Sequence, residues 1–457
     1  MASDPSRVII IGGGPSGITA AYALYHAGID FVVLERRTDV VEDLGASLVL
    51  GPTSLRVFHQ FGIFDQLAEI GGKLYENIGL TTDGHVFKST RLFDILAQHH
   101  GSAPLAFHRA HLIQALYENL PEAAKARYFT GKKLAGIRSE DTGVVVTCED
   151  GSSYSGTVVL GADGVHSATR REMRKLAIAE DPSREETWDP VTPYKTNYQC
   201  LWASFPRPSE AGQSYETQGI DRSAMYITGT ERGWIFLYEK LPETTTERIT
   251  FSNQQLEEYA ERFADWPLTE TLKVKEVFKE RFNVGGAGLE EGLCENWSWN
   301  GRIVLVGDAA HKFTPNAGLG FNNGVQDVVT VCNKLQKFFA SKEPGEKAAA
   351  GAVATDFSAL ERAFREYREE RLELLQLDLK ASARMTRMHT WASTWDWFMA
   401  QYVMSWAFVQ RLFITYIVTP QIQKAAVVDF ISTTEPFEGT YKWLHPLLKT
   451  IAGGRTL

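Results

Sequence analysis

The hydrophobic pattern at the start of the chain predicts a strand, a tight turn, a helix and a second strand. A run of β-branched residues ends at Ile11, which is typical of a strand buried on both faces. Glycine-rich residues 12–17 come next, and apolar positions then recur with helical spacing as far as Gly28. A further apolar run over residues 31–34 ends at Glu35. This order predicts a β–α–β unit of a parallel sheet.

Two later apolar runs end in glycine and aspartate in a similar way. The first leads from Val158 into Asp163 and Gly164, and the second leads from Ile303 into Asp308. Strands of one parallel sheet bring their carboxyl ends to the same edge. We therefore expect one sheet that holds a long ligand at these strand ends.

The middle of the chain has short strand-like runs that are rich in aromatic residues. Residues 198–205, 223–228 and 233–238 show this pattern, which predicts a second sheet above a cavity. Most of the aromatic side chains there are expected to be core residues. We single out Tyr215 as the catalytic candidate, because a phenol in the pocket can donate a hydrogen bond without adding a fixed charge.

The C-terminal third predicts helices. Apolar residues recur with helical period among the charges of residues 357–384, which predicts a long amphipathic helix. Residues 391–419 then carry many aromatic rings. The apolar run between Asp396 and Arg411 is shorter than the ~20 residues that span a bilayer. Two interpretations stay open: the rings pack on the protein body and roof a pocket, or they lie in a membrane interface.

Composition narrows the function classes. The chain has 457 residues, with 47 Lys and Arg against 56 Asp and Glu, which gives a formal net charge of −9. This charge provides no overall attraction to nucleic acid. The four cysteines lie far apart in the sequence, so we expect neither a disulfide framework nor a metal site. The first residues lack the features of a signal peptide, and we expect a cytoplasmic location.

The glycine-rich turn predicts a dinucleotide site. Gly12 permits the tight turn, Gly14 lets the backbone approach a pyrophosphate, and Gly17 lets the helix pack closely on the strand. The N-terminus of the helix offers free N–H groups to phosphates. Glu35 follows at the end of the second strand, where its carboxylate can accept hydrogen bonds from ribose hydroxyls. The alternative is a purely structural turn.

The strand ends at Gly12, Asp163 and Asp308 together carry a family resemblance. Residues 7–380 resemble the group A flavin monooxygenases, the aromatic-hydroxylase-like family. The resemblance implies that the first glycines hold the FAD pyrophosphate. It implies that Asp163 and Gly164 serve both FAD and NAD(P)H, and that Asp308 binds the ribityl chain. The other cofactor-binding residues that it implies are Arg109 beside the flavin, and Val49, Gly318, Gly320 and Phe321 near the isoalloxazine.

Each of the charged candidates also has a structural alternative. A carboxylate at Asp308 is a strong acceptor for polyol hydroxyls, but it could instead cap the turn that follows it. Asp163 could serve only to form the turn before Gly164. Arg109 could form a surface ion pair on the helix that begins there.

Within the family, residues 311–316 and the aromatic tail are similar to fungal epoxidases and hydroxylases of isoprenoid or prenyl-indole natural products. A tyrosine in the stretch around Tyr215 is also similar to one with a catalytic role in related epoxidases. The resemblance implies that NADPH, O₂ and a C4a-hydroperoxyflavin epoxidise or hydroxylate a lipophilic small molecule of secondary metabolism. Such chemistry requires a cavity that excludes water, so we expect an apolar pocket.

Three rival functions follow from the same scaffold. A phenolic-ring hydroxylase predicts a base in the pocket. An isoprenoid reductase predicts turnover without O₂. A non-catalytic carrier of prenyl groups predicts a protein without flavin.

The expected architecture is α/β, with a Rossmann-type FAD-binding domain, an interleaved sheet domain for the substrate and a helical C-terminal region. We assign residues 1–180 and 296–340 to the FAD-binding domain, 181–295 mainly to the substrate sheet, and 341–457 to the helical region. Without a coiled-coil heptad we expect a monomer. Residues 391–419 are the candidate for peripheral contact with an intracellular membrane.

Overall fold

The structure is a computed structural model that describes residues 7–43, 45–341 and 355–447. Its strands in chain order are β1 (Val8–Ile11), β2 (Phe31–Leu34), β3 (Ser47–Leu50), β4 (Gly72–Lys73), β5 (Glu76–Thr81), β6 (Val86–Thr90), β7 (Leu105–His108), β8 (Tyr128–Phe129), β9 (Leu134–Glu140), β10 (Gly143–Cys148), β11 (Ser153–Gly156), β12 (Val158–Gly161), β13 (Lys195–Pro206), β14 (Gln213–Gly219), β15 (Arg222–Thr228), β16 (Arg232–Thr245), β17 (Asn283–Leu293), β18 (Ser298–Trp299), β19 (Ile303–Leu305) and β20 (His311–Lys312).

The α-helices in chain order are α1 (Pro15–His26), α2 (Pro52–Gln60), α3 (Phe64–Ile70), α4 (Leu92–His100), α5 (Arg109–Glu118), α6 (Glu122–Lys125), α7 (Ala168–Glu180), α8 (Asn253–Glu261), α9 (Val274–Phe278), α10 (Leu319–Ala340), α11 (Phe357–His389), α12 (Thr394–Phe398), α13 (Ala407–Phe413) and α14 (Thr419–Gln423). Short 3₁₀ turns lie at Pro182–Glu185, Gly307–Ala309 and Pro315–Ala317, and π-helical turns lie at Met399–Val403 and Ile414–Val418.

The first sheet is the predicted nucleotide-binding sheet. Its strand order is β18-β19-β12-β1-β2-β8, and β1 pairs in parallel with both β12 and β2. β19 pairs in parallel with β12 on the other side. The three apolar runs thus end side by side, which confirms the α/β class and the shared strand edge.

The second sheet is larger than the sequence predicts. Its order is β20-β17-β13-β16-β15-β14-β5-β6, so the strands predicted from residues 198–238 form its middle. The β5–β6 hairpin joins its far edge from the N-terminal part of the chain, through a parallel pairing of β5 with β14. The hairpin was missed because its polar residues and a β-bulge after Gly79 interrupt the alternation. The domain division at residue 180 stays a prediction.

The two faces of the second sheet have different neighbours. One face packs against α8 and α9, with Leu256 and Tyr259 in the cluster that covers it. The opposite face carries Met225, Ile227 and Phe236 and borders a large cavity. Side chains alternate between these two faces along each strand, so a shift of one residue decides on which side a group lies.

The C-terminal region closes over both sheets. Helix α11 is the predicted amphipathic helix, and it continues to His389. Residues 425–447 return to the N-terminal part, where the buried guanidinium of Arg56 forms an ion pair with Glu435 and lies 4.0 Å from the ring of Trp443. Within the described ranges no helix is both long and apolar enough to cross a membrane.

Candidate active site

A cavity of about 1470 Å³ lies between the two sheets and the C-terminal helices. Its lining includes the glycine-rich turn after β1, the carboxyl ends of β12 and β19, and the inner face of the second sheet. This volume exceeds the roughly 300–1000 Å³ of an ordinary small-molecule pocket. There is space for a large cofactor and a substrate together.

The glycine-rich turn has the shape that a pyrophosphate needs. Gly12 has φ +100°, and a Cβ there would lie 2.6 Å from the carbonyl oxygen of Ala162. A Cβ on Gly17 would collide with the carbonyl oxygen of Gly12, so the helix can pack this closely only with glycine. Nothing lies within 4 Å of the corresponding position on Gly14. That side of the turn is therefore open toward the cavity.

Glu35 is held beside this turn by backbone donors. Its Oε2 accepts a hydrogen bond of 2.6 Å from the N–H of Gly13, and its Oε1 accepts one of 2.9 Å from the N–H of Arg37. Both carboxylate oxygens keep further lone pairs, and the residue lines the cavity. The arrangement fixes a carboxylate at the place where the motif predicts a ribose.

Asp163 orders its own loop and also lines the cavity. Its Oδ2 accepts hydrogen bonds from the N–H of Thr169 at 2.9 Å and from the hydroxyl of the same residue at 3.0 Å. These local contacts agree with the interpretation that Asp163 forms the turn before Gly164. Gly164 follows with φ +79° and lines the cavity with it.

Asp308 lies in the 3₁₀ turn after β19 and points toward the cavity. Its side chain pairs with Lys312. The turn begins after Val306, and no side chain caps it, so Asp308 is not an N-cap. The phenol of Tyr194 donates a hydrogen bond of 3.2 Å to the Asp308 carbonyl oxygen, which helps to fix the turn.

Arg109 begins α5 and lines the cavity rather than the outer surface. In the described part of the chain, its guanidinium has no ion-pair partner within 4.0 Å. Burial lowers the pKa of Arg109, and the nearby cation Arg37 adds to this, while Asp308 opposes it. Because little negative charge lies close to the Arg109 guanidinium, a bound anionic or electron-rich group would stabilise it.

Val49, Gly318, Gly320 and Phe321 meet at one wall of the cavity. Asn322 joins this wall: its Nδ2 donates to the carbonyl oxygens of Val49 at 2.8 Å and Gly318 at 2.7 Å. Its Oδ1 also accepts a hydrogen bond of 2.9 Å from the N–H of Gly51. We did not predict a role for Asn322, because two of its partners, Val49 and Gly51, lie 273 and 271 positions earlier in the chain.

The structure corrects the placement of Tyr215. Neighbouring positions 214, 216 and 218 of β14 line the cavity, so Tyr215 points to the opposite face. There its ring lies 6.0 Å from that of Tyr226 within the cluster covered by α8 and α9. Burial raises the pKa of Tyr215 to about 12. Its phenol does not reach the pocket, in contrast to our expectation.

The cavity also contains an ionisable group that we did not predict. Glu216, the residue after Tyr215, is only 2 % exposed, and its Oε1 lies 3.1 Å from Nδ1 of His389. Lys88 on β6 lines the same wall. The expectation of an apolar pocket is therefore wrong at this wall. These residues come from distant segments, and no local pattern links them.

The remaining lining of this half of the cavity is largely apolar and comes from the C-terminal helices. Met388, Met399, Met404, Phe413 and Ile414 contribute to it. The segment of residues 391–419 thus contributes to the roof of the pocket, but Phe413 is its only aromatic ring in the lining. Other rings of the same segment point outward: Trp406 is 66 %, Phe408 69 % and Tyr416 70 % exposed.

These features fit FAD. The open side of Gly14 suits a pyrophosphate, and Glu35 suits a ribose. Arg109 and Asp308 also line the cavity, and Oδ1 of Asp308 lies 3.8 Å from the position of a Cβ on Gly320, beside the wall at Gly318. The volume of the cavity also leaves room for a substrate next to FAD.

Comparisons with known proteins agree with this fit. A family model described as an FAD binding domain matches residues 6–346. The FAD-dependent monooxygenase ausM of Penicillium brasilianum is 32 % identical over 393 residues, which covers 84 % of this chain and 79 % of ausM. The FAD-dependent monooxygenase esdpE of Penicillium shearii is 28 % identical over 458 residues, which covers 96 % and 92 % of the two chains.

Solved structures share the fold at low sequence identity. HpxO from Klebsiella pneumoniae, complexed with FAD and uric acid, superposes with a TM-score of 0.66 at 20 % identity, over 91 % of this chain and 95 % of HpxO. The 2,6-dihydroxypyridine-3-hydroxylase of Arthrobacter nicotinovorans superposes with a TM-score of 0.65 at 17 % identity, over 86 % and 95 % of the two chains.

Proposed function

The chain belongs to the FAD binding domain family and is an NAD(P)H-dependent flavin monooxygenase. From this premise we propose that it epoxidises or hydroxylates an apolar, isoprenoid- or indole-containing small molecule in secondary-metabolite biosynthesis. The relatives named FAD-dependent monooxygenases speak against an isoprenoid reductase and against a non-catalytic carrier.

One observation carries the choice of substrate class. Beyond the wall at Gly318, the cavity is lined mainly by methionine, isoleucine and phenylalanine side chains of the C-terminal helices. Flexible methionine side chains adapt to irregular apolar ligands. A lipophilic chain or ring system is therefore the ligand that this half of the cavity favours.

When bound, FAD supplies the redox chemistry that uses NADPH and O₂ to transfer one oxygen atom. The residues of the chain hold and orient FAD and the substrate. The glycine-rich turn binds the pyrophosphate, Glu35 binds a ribose and Asp308 binds the ribityl hydroxyls. Asn322 fixes the wall at Val49 and Gly318 through its two donated hydrogen bonds. The apolar roof keeps water away from the reacting atoms.

A second candidate, hydroxylation of a phenolic ring, is favoured by Glu216. That function predicts a base in the pocket, and Glu216 is a buried carboxylate on the cavity wall. A carboxylate there can hold the proton of a phenol on Oε2 and so raise the electron density of the ring.

The exposed rings of residues 391–419 support peripheral contact with an anionic intracellular membrane. Trp and Tyr side chains suit the boundary between lipid and water. Between Asp396 and Asp429 the only charged residues are Arg411 and Lys424, although the whole chain has a net charge of −9. Phe413 and Ile417 are both exposed and part of the cavity lining, so the surface continues into the cavity. A lipophilic substrate could enter there from the membrane.

A substrate screen tests the proposed function. Prenylated indoles, farnesylated polyketides and simple phenols are each incubated with the FAD-loaded enzyme and NADPH, and products are identified by mass. We expect prenylated compounds to stimulate NADPH oxidation and to gain one oxygen in the prenyl or indole part. Stimulation by simple phenols alone, with oxygen added to the ring, would favour the second candidate.

A further inference from the structure

Three residues from distant segments form what we call the head-group site: Lys88, Glu216 and His389. All three line the cavity. Lys88 on β6 pairs in register with Gly79 on β5, and Gly79 pairs with Glu216 on β14. Directly paired residues project to the same face of a sheet. The register thus brings Lys88 and Glu216 to the cavity face, and the end of α11 adds His389.

The two carboxylate oxygens of Glu216 have different surroundings. Oε1 lies 3.1 Å from Nδ1 of His389, at ion-pair distance. Oε2 is buried and has no hydrogen-bond partner among the described residues. A buried carboxylate oxygen without a donor is unfavourable, because it has lost its hydrogen bonds to water and gained none from the protein. A ligand that offers an O–H or N–H to Oε2 removes this cost.

Lys88 is the matching cation. Removal from water lowers the pKa of Lys88 to about 8, while the charge of Glu216 opposes the shift. No carboxylate lies within ion-pair distance of its Nζ in the described part of the chain. The ammonium group therefore has donors available for an oxygen atom of a ligand.

The site lies close to the wall where the flavin is proposed to bind. On α11, the hydroxyl of Thr386 donates a hydrogen bond of 2.8 Å to Oδ1 of Asn316 in the turn before Gly318. His389 follows three residues later, about 4.5 Å further along the helix axis. The apolar side chain of Met388 adjoins it in the cavity lining. One ligand can therefore reach the polar site and the apolar roof together.

We propose that Lys88 and Glu216 bind an acidic hydroxyl group of the substrate, an enol or a phenol, which donates to Oε2 of Glu216 and accepts from Nζ of Lys88. The substrate is then amphiphilic, with this hydroxyl on a head group and an apolar tail along the C-terminal helices. The imidazole of His389 lies on the Oε1 side of the carboxylate, and Oε2 is the oxygen that accepts from the ligand in this proposal. The inference rests on the proposed function only in placing the substrate in this cavity.

Binding of two matched probes tests the inference without turnover. The probes are 2-geranylphenol and its methyl ether, which share the tail and differ in the O–H. Equilibrium dialysis against the FAD-loaded enzyme gives both dissociation constants. We expect the phenol to bind at least about tenfold more tightly than the ether, because the ether leaves Oε2 without a donor. Equal affinities, or no binding of either probe, would overturn the proposal without any variant.

Variants then locate the preference. Lys88→Met and Glu216→Leu are each expected to bring the phenol-to-ether ratio close to one, whereas Lys88→Arg keeps the charge and much of the preference. Lys337→Met, at an exposed ion pair with Asp429, is the control that keeps the wild-type ratio. FAD content and melting temperature establish that each variant is folded. A folded Glu216→Leu enzyme with the wild-type preference would contradict the inference.

Oxygen incorporation into the geranyl chain is measured separately on the same probes. A phenol preference that depends on Lys88 and Glu216, without oxygenation of the tail, would count against the proposed function and leave this inference standing. Oxygenation of the tail of both probes, with equal affinities for the phenol and the ether, would count against this inference and leave the proposed function standing.

Discussion

The carboxylate of Asp327 on α10 accepts a hydrogen bond of 3.0 Å from the backbone N–H of Gly307. This contact joins a fully buried aspartate to the residue immediately before Asp308. His311 and Arg371 also pair with the same carboxylate. The turn that presents Asp308 to the cavity is therefore held by a buried charged cluster. Asp327 stabilises this turn, whereas Asp308 lines the cavity.

Replacement of Asp327 by Asn should destabilise the protein by about 3–5 kcal/mol, because the charge of Arg371 then lacks its buried partner. Chemical denaturation monitored by tryptophan fluorescence measures the change. Asp265→Asn, at an exposed ion pair with two lysines, is the matched control and should cost little. A loss below about 1 kcal/mol would mean that the buried cluster does not support the fold.

The same carboxylate predicts a dependence of stability on pH. Burial alone would raise the pKa of Asp327, but the facing His311 and Arg371 lower it to about 2. A group whose pKa is depressed in the folded state stabilises the protein above its unfolded pKa of about 3.9 and loses this contribution as the pH falls toward 2. Melting temperatures of the wild type should therefore fall more steeply between pH 4 and pH 2 than those of Asp327→Asn. Parallel curves would contradict the assignment.

Replacement of Asp308 by Ala should abolish retention of FAD. The variant removes the carboxylate that we expect to accept hydrogen bonds from ribityl hydroxyls, and it leaves Lys312 unpaired. The ratio of flavin to protein absorbance after gel filtration is the measurement. Lys312→Met removes the same ion pair but keeps the carboxylate, and it should retain flavin. An unchanged flavin content in Asp308→Ala would refute the assignment.

Replacement of Arg56 by Met should release the C-terminal segment. The guanidinium donates to Oε2 of Glu435 at 2.6 Å and to the carbonyl oxygen of His445 at 2.8 Å. Loss of the buried ion pair should cost about 3–5 kcal/mol. Limited proteolysis should then cut the C-terminal segment much faster than in the wild type. By the same contacts, a truncation before Trp391 removes Glu435, so it would test stability together with any role of the tail.

The exposed aromatic surface predicts binding to vesicles. Wild-type protein should sediment with vesicles of phosphatidylcholine and phosphatidylserine, and the triple variant Trp406→Ser, Phe408→Ser and Tyr416→Ser should stay in the supernatant. All three side chains are at least 66 % exposed, so the fold should tolerate the changes. Pure phosphatidylcholine vesicles test the contribution of Arg411 and Lys424. Equal sedimentation of the wild type and the triple variant would rule out this surface.

The nucleotide-binding half of the fold follows from local sequence. Short β-branched runs, glycines and acids lie within a few residues of one another, so β1, α1, β2 and the strand ends before Asp163 and Asp308 can be predicted. The candidate residues there line one cavity, except Gly17, which packs against the carbonyl oxygen of Gly12. Their roles toward FAD stay predictions that the variants above test.

The substrate half could not be predicted as well, for physical reasons. Tyr215 and Glu216 are neighbours, and only the pairing of β14 with β5 and β15 decides which of them faces the cavity. Lys88 and His389 join Glu216 through long-range contacts that leave no local pattern. Our prediction of Tyr215 therefore fell on the aromatic neighbour of Glu216, which is the residue that lines the cavity.

The most direct test of the central claim is oxygen isotope incorporation. The FAD-loaded enzyme is incubated with NADPH, ¹⁸O₂ and a prenylated indole selected by the screen, and the product is analysed by mass spectrometry. A monooxygenase with this substrate class should place one ¹⁸O atom in the prenyl or indole part for each NADPH consumed in product formation. A product that forms without O₂, or that carries no ¹⁸O under ¹⁸O₂, would contradict the proposed function.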